Sequence, residues 1–363
     1  MRILLWYWGR RGGGASFALH LARGLAARGD VALGLSLAER NELLDAFRAL
    51  PAPLDAVPTF AGAADLLPAT LRVPLLRRRL VAQARAMGAD AVVSAMNHVW
   101  TPLVAPALPR AGLRYVAAIH DATPHPGDPA FAWDWRLRRE LGSASGAIAF
   151  SEAVSAAVAA RRPGLPVLRL PLPGLAPPAA AGMPTTDVLF FGRLRAYKGL
   201  DLLRDAWPRL RARHPHATLR VVGEGDPEAC APGLAALPGV TVEARWVAED
   251  AIAALLATAR VLVLPYREAS QSGVVPIALA LGVPPVVTPV GGLAEQVRDG
   301  ETGIVAAAPT AEALAAAMAK ALDPARHSAL TARAREAGRP LADPAGAADA
   351  LVAWLRTLPP AAT

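Results

Sequence analysis

With 363 residues the chain is too long for one ordinary core and suits two domains of roughly 150 to 200 residues each. An apolar fraction of 53% leaves ample material for those cores, and a single cysteine, Cys230, excludes an internal disulfide framework or a cysteine-based metal cluster. The formal charge of +8 rests almost wholly on arginine, because Lys198 and Lys320 are the only lysines. That charge admits phosphorylated substrates, anionic lipid or nucleic acid as partners. Neither zinc-finger spacing nor the aromatic interleaving of RNA-binding sheets accompanies it, so nucleic acid is not expected.

The lone cysteine fits a reducing compartment. The apolar run at residues 3–8 is too short for a secretory signal core, and no charge-free stretch of about 18 apolar residues reads as a membrane span. The expectation is a cytoplasmic chain.

In chain order, residues 2–8 predict a strand, followed by Gly12-Gly13-Gly14 and a helix over 15–27 with Phe17, Leu21 and Leu25 on one side. Residues 31–37, 91–94, 115–120 and 147–150 predict further strands. Residues 162–184 are dominated by proline and glycine and predict a short strand at 167–170 followed by a linker. The pattern then restarts: strand 187–191, helix 199–213, and strands 218–223, 240–244, 261–265, 285–288 and 302–305, with a closing helix at 345–358. Such alternation implies parallel sheets with crossover helices, an α/β chain. The expected division is 1–175 and 176–345, both Rossmann-like, with 346–363 a helix packing back toward the first. Ligands of such sheets bind beyond the carboxyl ends of the strands, so a cleft between the two domains is where chemistry is expected.

The strand-end loops carry the candidate residues. Gly12 to Gly14 supply amides and space at a helix start, either for a ligand or simply for a tight turn. They are not the G-x-G-x-x-G fingerprint, because Phe17 stands where its third glycine belongs. Asn97, His98 and Trp100 end another strand and either line an acceptor side or pack the loop. His120 ends the next, with Asp121 placed to orient its ring. The same histidine reads equally as a structural residue, or with His125 and Asp128 as a metal ligand, although no HExxH spacing supports metal. Arginines cluster at 77–79 and at 136, 138 and 139.

In the second half, Gly192-Arg193 and Lys198-Gly199 place two cations between a strand end and a helix start, an anion cradle unless they are only surface charges. A lysine in so arginine-rich a chain suggests that a compact ammonium is needed for a diphosphate. Residues 265–276 form a polar loop leading into a helix whose amides at Gly273, Val274 and Val275 favour an anion. Glu268 and Ser270 can meet sugar hydroxyls, and an ordinary capped helix is the alternative. Gly291-Gly292 with Glu295 forms another close-approach turn.

In this order the stretches Gly192 to Gly199, Val221 to Gly225, Glu268 to Gly273, Gly282 to Val287 and Gly291 to Glu295 resemble the C-terminal half of retaining glycosyltransferases of family 4, which have the GT-B fold. The resemblance is dense over 187–305 and loose before it. It implies that His120, Arg193, Lys198 and Glu268 act at the reacting centre. Gly13, Gly14, Gly192, Gly223, Glu224, Ser272, Gly273, Val274 and Glu295 would line the donor, and Asn97, His98, Trp100 and Asp121 the acceptor side. The second glutamate of the family's E-x(7)-E motif is absent, and Ile277 or Ala278 takes its place.

The implied reaction is transfer of a hexosyl unit, with retention, from a nucleoside diphosphate sugar to a glycan or lipid-linked glycan in bacterial polysaccharide or envelope synthesis. No cofactor is implied and, with no D-x-D motif, no metal. The basic clusters add possible contact with anionic lipid at the inner face of the membrane. A nucleotide-sugar epimerase or a phosphorylase of the same fold, or a basic nucleic-acid-binding protein, are the rivals. A nicotinamide oxidoreductase lacks its fingerprint.

Overall fold

A computed structural model describes residues 1–62, 64–124, 130–174 and 184–359. The chain divides into two compact units, Met1–Pro171 with Asp343–Thr363, and Leu172–Ala342.

The N-terminal unit contains β1 (Arg2–Tyr7), β2 (Ala32–Ala38), β3 (Leu54–Val57), β4 (Ala91–Ser94), β5 (Tyr115–Ile119), β6 (Gly146–Ala149) and β7 (Val167–Arg169). They form one sheet in the order β3-β2-β1-β4-β5-β6-β7, and every pairing is parallel. The C-terminal unit contains β8 (Thr186–Phe191), β9 (Leu219–Gly223), β10 (Val240–Ala244), β11 (Ala259–Leu264), β12 (Pro285–Val287) and β13 (Ile304–Val305). Their order is β10-β9-β8-β11-β12-β13, again all parallel. The predicted α/β class and parallel sheets are therefore present. Inner strands such as β1 and β11 are buried on both faces, which is why they read as unbroken apolar runs rather than as an alternation.

Several features escaped the sequence pattern, among them an edge strand and a pair of helices in the N-terminal unit. The edge strand β3 is mostly half-buried and short, and it carries little periodic signal. Helices Leu66–Thr70 and Val73–Ala86 lie in a stretch where leucine and arginine alternate irregularly. Val73, Leu76, Leu80 and Ala84 of the second helix nevertheless face the core. Helix Gly13–Ala26 was expected to bury one side and instead buries Ser16, Leu19 and His20 as well. Helix Pro344–Thr357 covers its outer side so closely that a Cβ at Gly24 would lie 2.1 Å from the Pro344 carbonyl oxygen.

Both sheets reverse direction of growth once, between β1 and β4 and between β8 and β11. In open parallel sheets this topological switch point opens a crevice at the carboxyl ends of the two strands. Within each unit the loops after those strands are where a ligand fits.

Candidate functional site

In the C-terminal unit the loops after β8, β9, β11 and β12 converge through backbone contacts that only glycine permits. A Cβ at Gly223 would stand 1.8 Å from the Gly192 carbonyl oxygen, and one at Gly199 would stand 1.9 Å from that of Pro265. Gly199 also has φ +68°, a left-handed conformation that costs glycine least. A Cβ at Gly291 would meet the Ala269 oxygen at 2.1 Å. Leu194 donates its amide to the Glu224 carbonyl (2.9 Å), and Arg267 donates its own to that of Tyr197 (2.8 Å). Substituting any of these glycines would therefore push apart loops that meet at the switch point.

The cations stand on this frame. The Lys198 ammonium lies 3.7 Å from the ring centroid of Tyr266 and 5.1 Å from that of Tyr197, so aromatic faces rather than a carboxylate hold it. Arg193 is exposed. Among the described residues neither Arg193 nor Lys198 forms an ion pair. Arg267, by contrast, is neutralised by Asp201 at 2.5 Å. The two cations after β8 are thus positive charge available to a ligand.

The loop after β11 is fixed by a reciprocal pair of hydrogen bonds. The Ser272 amide donates to Gln296 Oε1 (2.7 Å), and Gln296 Nε2 donates back to the Ser272 carbonyl (3.0 Å). Thr288 donates its hydroxyl to the Tyr266 carbonyl at 2.5 Å. These bonds set the start of helix Val274–Leu281, where the Ser272 hydroxyl accepts from the Val274 amide (3.4 Å) and Pro276 has no N–H, so among the described residues the Gly273 and Val275 amides are the ones that remain for an anion. Glu224 and Glu268 are exposed on the neighbouring loops, and Glu295 is exposed at the end of helix Gly291–Glu295. Ile277 and Ala278, at the place of the missing second glutamate, are buried in the core, so this helix presents no carboxylate there.

Tyr266 and Gln296 were not singled out from the sequence. Tyr266 follows directly on the strand-ending Pro265, which is a usable signal. Gln296 has none beyond its position next to Glu295.

In the N-terminal unit the switch point is aromatic. Gly13 opens helix Gly13–Ala26 with nothing within 4 Å of an added Cβ, whereas one at Gly14 would meet Met96 Sδ at 2.7 Å. His120, just past β5, sits with ring centroids 4.4 Å from Phe150 and 5.7 Å from Phe17. Its Nε2 lies 3.2 Å from the Ala95 carbonyl. A carbonyl only accepts, which puts the ring proton on Nε2. Burial lowers the His120 pKa against the opposing pull of Asp121, so the ring is neutral at pH 7.

His98 packs against Phe60 at 5.4 Å and Trp100 at 5.2 Å. Its pKa falls to about 3, chiefly from burial and then from Arg136 and Arg10. Asn97 is half-buried beside it. Trp100 is only 2% exposed, and its indole donates to Thr70 Oγ1 at 2.9 Å, so this side chain belongs to the core.

His125 and Asp128, the distal members of the alternative metal set, lie outside the described residues. Among the described residues no group of three or more His, Cys, Asp or Glu side chains is placed to hold a metal. No helix among them is long and apolar enough to cross a membrane. The second expected basic cluster is dispersed by local partners: Arg138 pairs with Asp134 at 2.7 Å, and Arg139 donates to the Pro102 carbonyl.

Comparison with known proteins bears on both units. Residues 185–324 match the family of glycosyl transferases group 1. The chain is 36% identical over 152 residues to a glycogen synthase of Mycobacterium tuberculosis, covering 40% of this chain and 37% of that protein. It is 32% identical over 160 residues to a D-inositol 3-phosphate glycosyltransferase of Rhodococcus opacus, covering 41% and 36%. The matched segment thus spans little more than a third of these curated relatives.

Among solved structures, Anabaena HepE in complex with UDP and glucose superposes with a TM-score of 0.75 at 18% identity, over 99% of this chain and 100% of that one. Sucrose-phosphate synthase from Thermosynechococcus elongatus gives 0.75 at 21%, over 99% of each. The chain has the GT-B fold, and its C-terminal unit carries a segment that matches the glycosyl transferases group 1 family.

Proposed function

We propose that the protein is a retaining glycosyltransferase of the family 4 kind, moving a hexosyl unit from a nucleoside diphosphate sugar to a glycan or lipid-linked glycan at the inner face of a membrane. The observation that carries this reading is the pair of cations at the β8 end. Lys198 is poised over Tyr266 and Arg193 is exposed on the same strand-end loop, and among the described residues neither is matched by a carboxylate. HepE, solved with UDP and with UDP-glucose, supports a nucleotide-sugar donor.

Departure of the diphosphate leaves negative charge on oxygen and a carbon resembling an oxocarbenium ion. Arg193, Lys198 and the first-turn amides of helix Val274–Leu281 stabilise that charge without a divalent metal. Gly223, Glu224 and Glu295 border the nucleotide. In the N-terminal unit, His120 is neutral and commits its Nε2 proton to the Ala95 carbonyl, so it brings no charge to a ligand at its own switch point. Attack comes from the face the leaving group vacates, with the departing phosphate oxygen taking the acceptor's proton, so no protein carboxylate need act as nucleophile.

A panel of UDP-, GDP- and other nucleotide sugars, offered with and without glycan acceptors, tests this reading. One donor should turn over, with the anomeric configuration preserved by NMR, and Lys198→Ala should lower kcat by about 10²- to 10³-fold in a folded protein. A Lys198→Ala enzyme of normal activity, or inversion at the anomeric carbon, overturns it.

A further inference from the structure

Seven large apolar side chains are exposed among the described residues, and five of them belong to two short stretches of the N-terminal unit: Leu67, Leu71, Leu75, Val99 and Leu103. Leu67, Leu71 and Leu75 retain 81%, 84% and 67% of their surface in solvent, far beyond what scattered surface leucines require. They recur every four residues through helix Leu66–Thr70 and into helix Val73–Ala86, while Val73, Leu76 and Leu80 of the latter face the core. The hydrogen bond from the Trp100 indole to Thr70 Oγ1 ties the stretch bearing Val99 and Leu103 to the same place.

Basic charge continues the apolar strip. Residues 66–89 contain five arginines and no aspartate or glutamate, and residues 91–120 contain no acid either. Arg79 is paired with Asp55 and so leaves the set. Arg77, Arg78, Arg85 and Arg110, with Val81 and Ala82, line a groove of about 520 Å³. Arg72 is exposed between the leucines.

We propose that this face docks on the surface of an anionic phospholipid bilayer, with the leucines entering the acyl boundary and the arginines meeting headgroup phosphates. Apolar residues flanked by unopposed cations are what an interfacial segment needs. A second copy of the same face would set arginine against arginine, and a nucleic-acid backbone would leave the leucines in water. The proposal deepens the lipid-linked acceptor reading, on which it rests, but the test requires neither donor nor acceptor.

Flotation of the full chain with phosphatidylcholine vesicles, with and without phosphatidylglycerol, decides it. Binding should require the anionic lipid and weaken with salt. Arg77→Gln with Arg78→Gln should weaken it roughly thirtyfold, at about fivefold per arginine. Leu71→Ser with Leu75→Ser should weaken it at least about tenfold by removing apolar area from the lipid. The leucine pair should leave the thermal midpoint and nucleotide binding unchanged, because neither side chain packs against the core. Failure to float, equal flotation with neutral vesicles, or binding insensitive to both pairs overturns the proposal. So does a solution dimer that the leucine pair dissolves. Flotation without any transferase activity would instead overturn the enzymatic reading and leave this face standing.

Discussion

The two switch points share a strand order and little else. At β8 and β11, stacked glycine backbones bring four loops together, and the Lys198 ammonium stands over an aromatic ring. At β1 and β4, the ends are filled by Phe60, His98, Trp100 and Met96, and both nearby histidines are driven toward neutrality by burial. The common frame decides where a ligand can sit, and the loop residues decide what kind. The first site suits an anion, and the second suits a group that brings no positive charge of its own. Mutations that act on one site and spare the other test that division.

The largest effect should come from Gly223→Ala. Its Cβ would collide with the Gly192 carbonyl, backbone against backbone, so the C-terminal unit should lose about 4 kcal/mol or more by urea titration. Little change would mean that the strand-end loops are less tightly held than their contacts indicate. Next, Lys198→Ala should lower kcat by about 10²- to 10³-fold with the melting temperature nearly unchanged, as expected for one lost contact to developing negative charge.

Glu140 sharpens the comparison from the N-terminal side. It is buried, accepts a hydrogen bond from the Tyr115 hydroxyl at 3.0 Å, and has its pKa raised from 4.5 to about 7 by burial, with Tyr115 and Arg136 pulling the other way. A carboxyl that holds its proton more tightly when folded stabilises the fold below its unfolded value. That contribution is lost as pH rises through the folded one. Stability of the N-terminal unit should therefore fall between pH 4.5 and 7 by on the order of 3 kcal/mol, and Glu140→Gln should flatten the dependence. A wild-type profile already flat over that range would rule this out.

Gln296→Ala breaks the two-way bond to Ser272 and should raise KM for the donor severalfold while costing about 1 kcal/mol of stability. The smallest effect is expected at Gly13→Ala, where an added Cβ meets nothing within 4 Å and the site is helical, so stability should move by less than about 1 kcal/mol. A loss comparable to that at Gly223 would show that the N-terminal glycines are as constrained as the C-terminal ones.

Much of this protein is written locally. Doubly buried parallel strands must be continuous apolar runs, and close turns must be glycine. The β/α alternation and the glycines at its close turns could therefore be read from residue order, with strand ends displaced by one or two positions. What residue order left undecided is which side chains meet. Tyr266 beneath Lys198 and Gln296 behind Ser272 are joined across separate strands. The burial of helix Gly13–Ala26 on its outer side depends on a helix more than 300 residues later. The arginine clusters look alike in one dimension, yet Asp55, Asp134 and the Pro102 carbonyl take some of those charges, while Arg77 and Arg78 are left lining an open groove. Periodicity and turn chemistry act over a few residues and survive in the sequence. Pairing of charges and covering of faces act across the fold, and only the folded chain decides them.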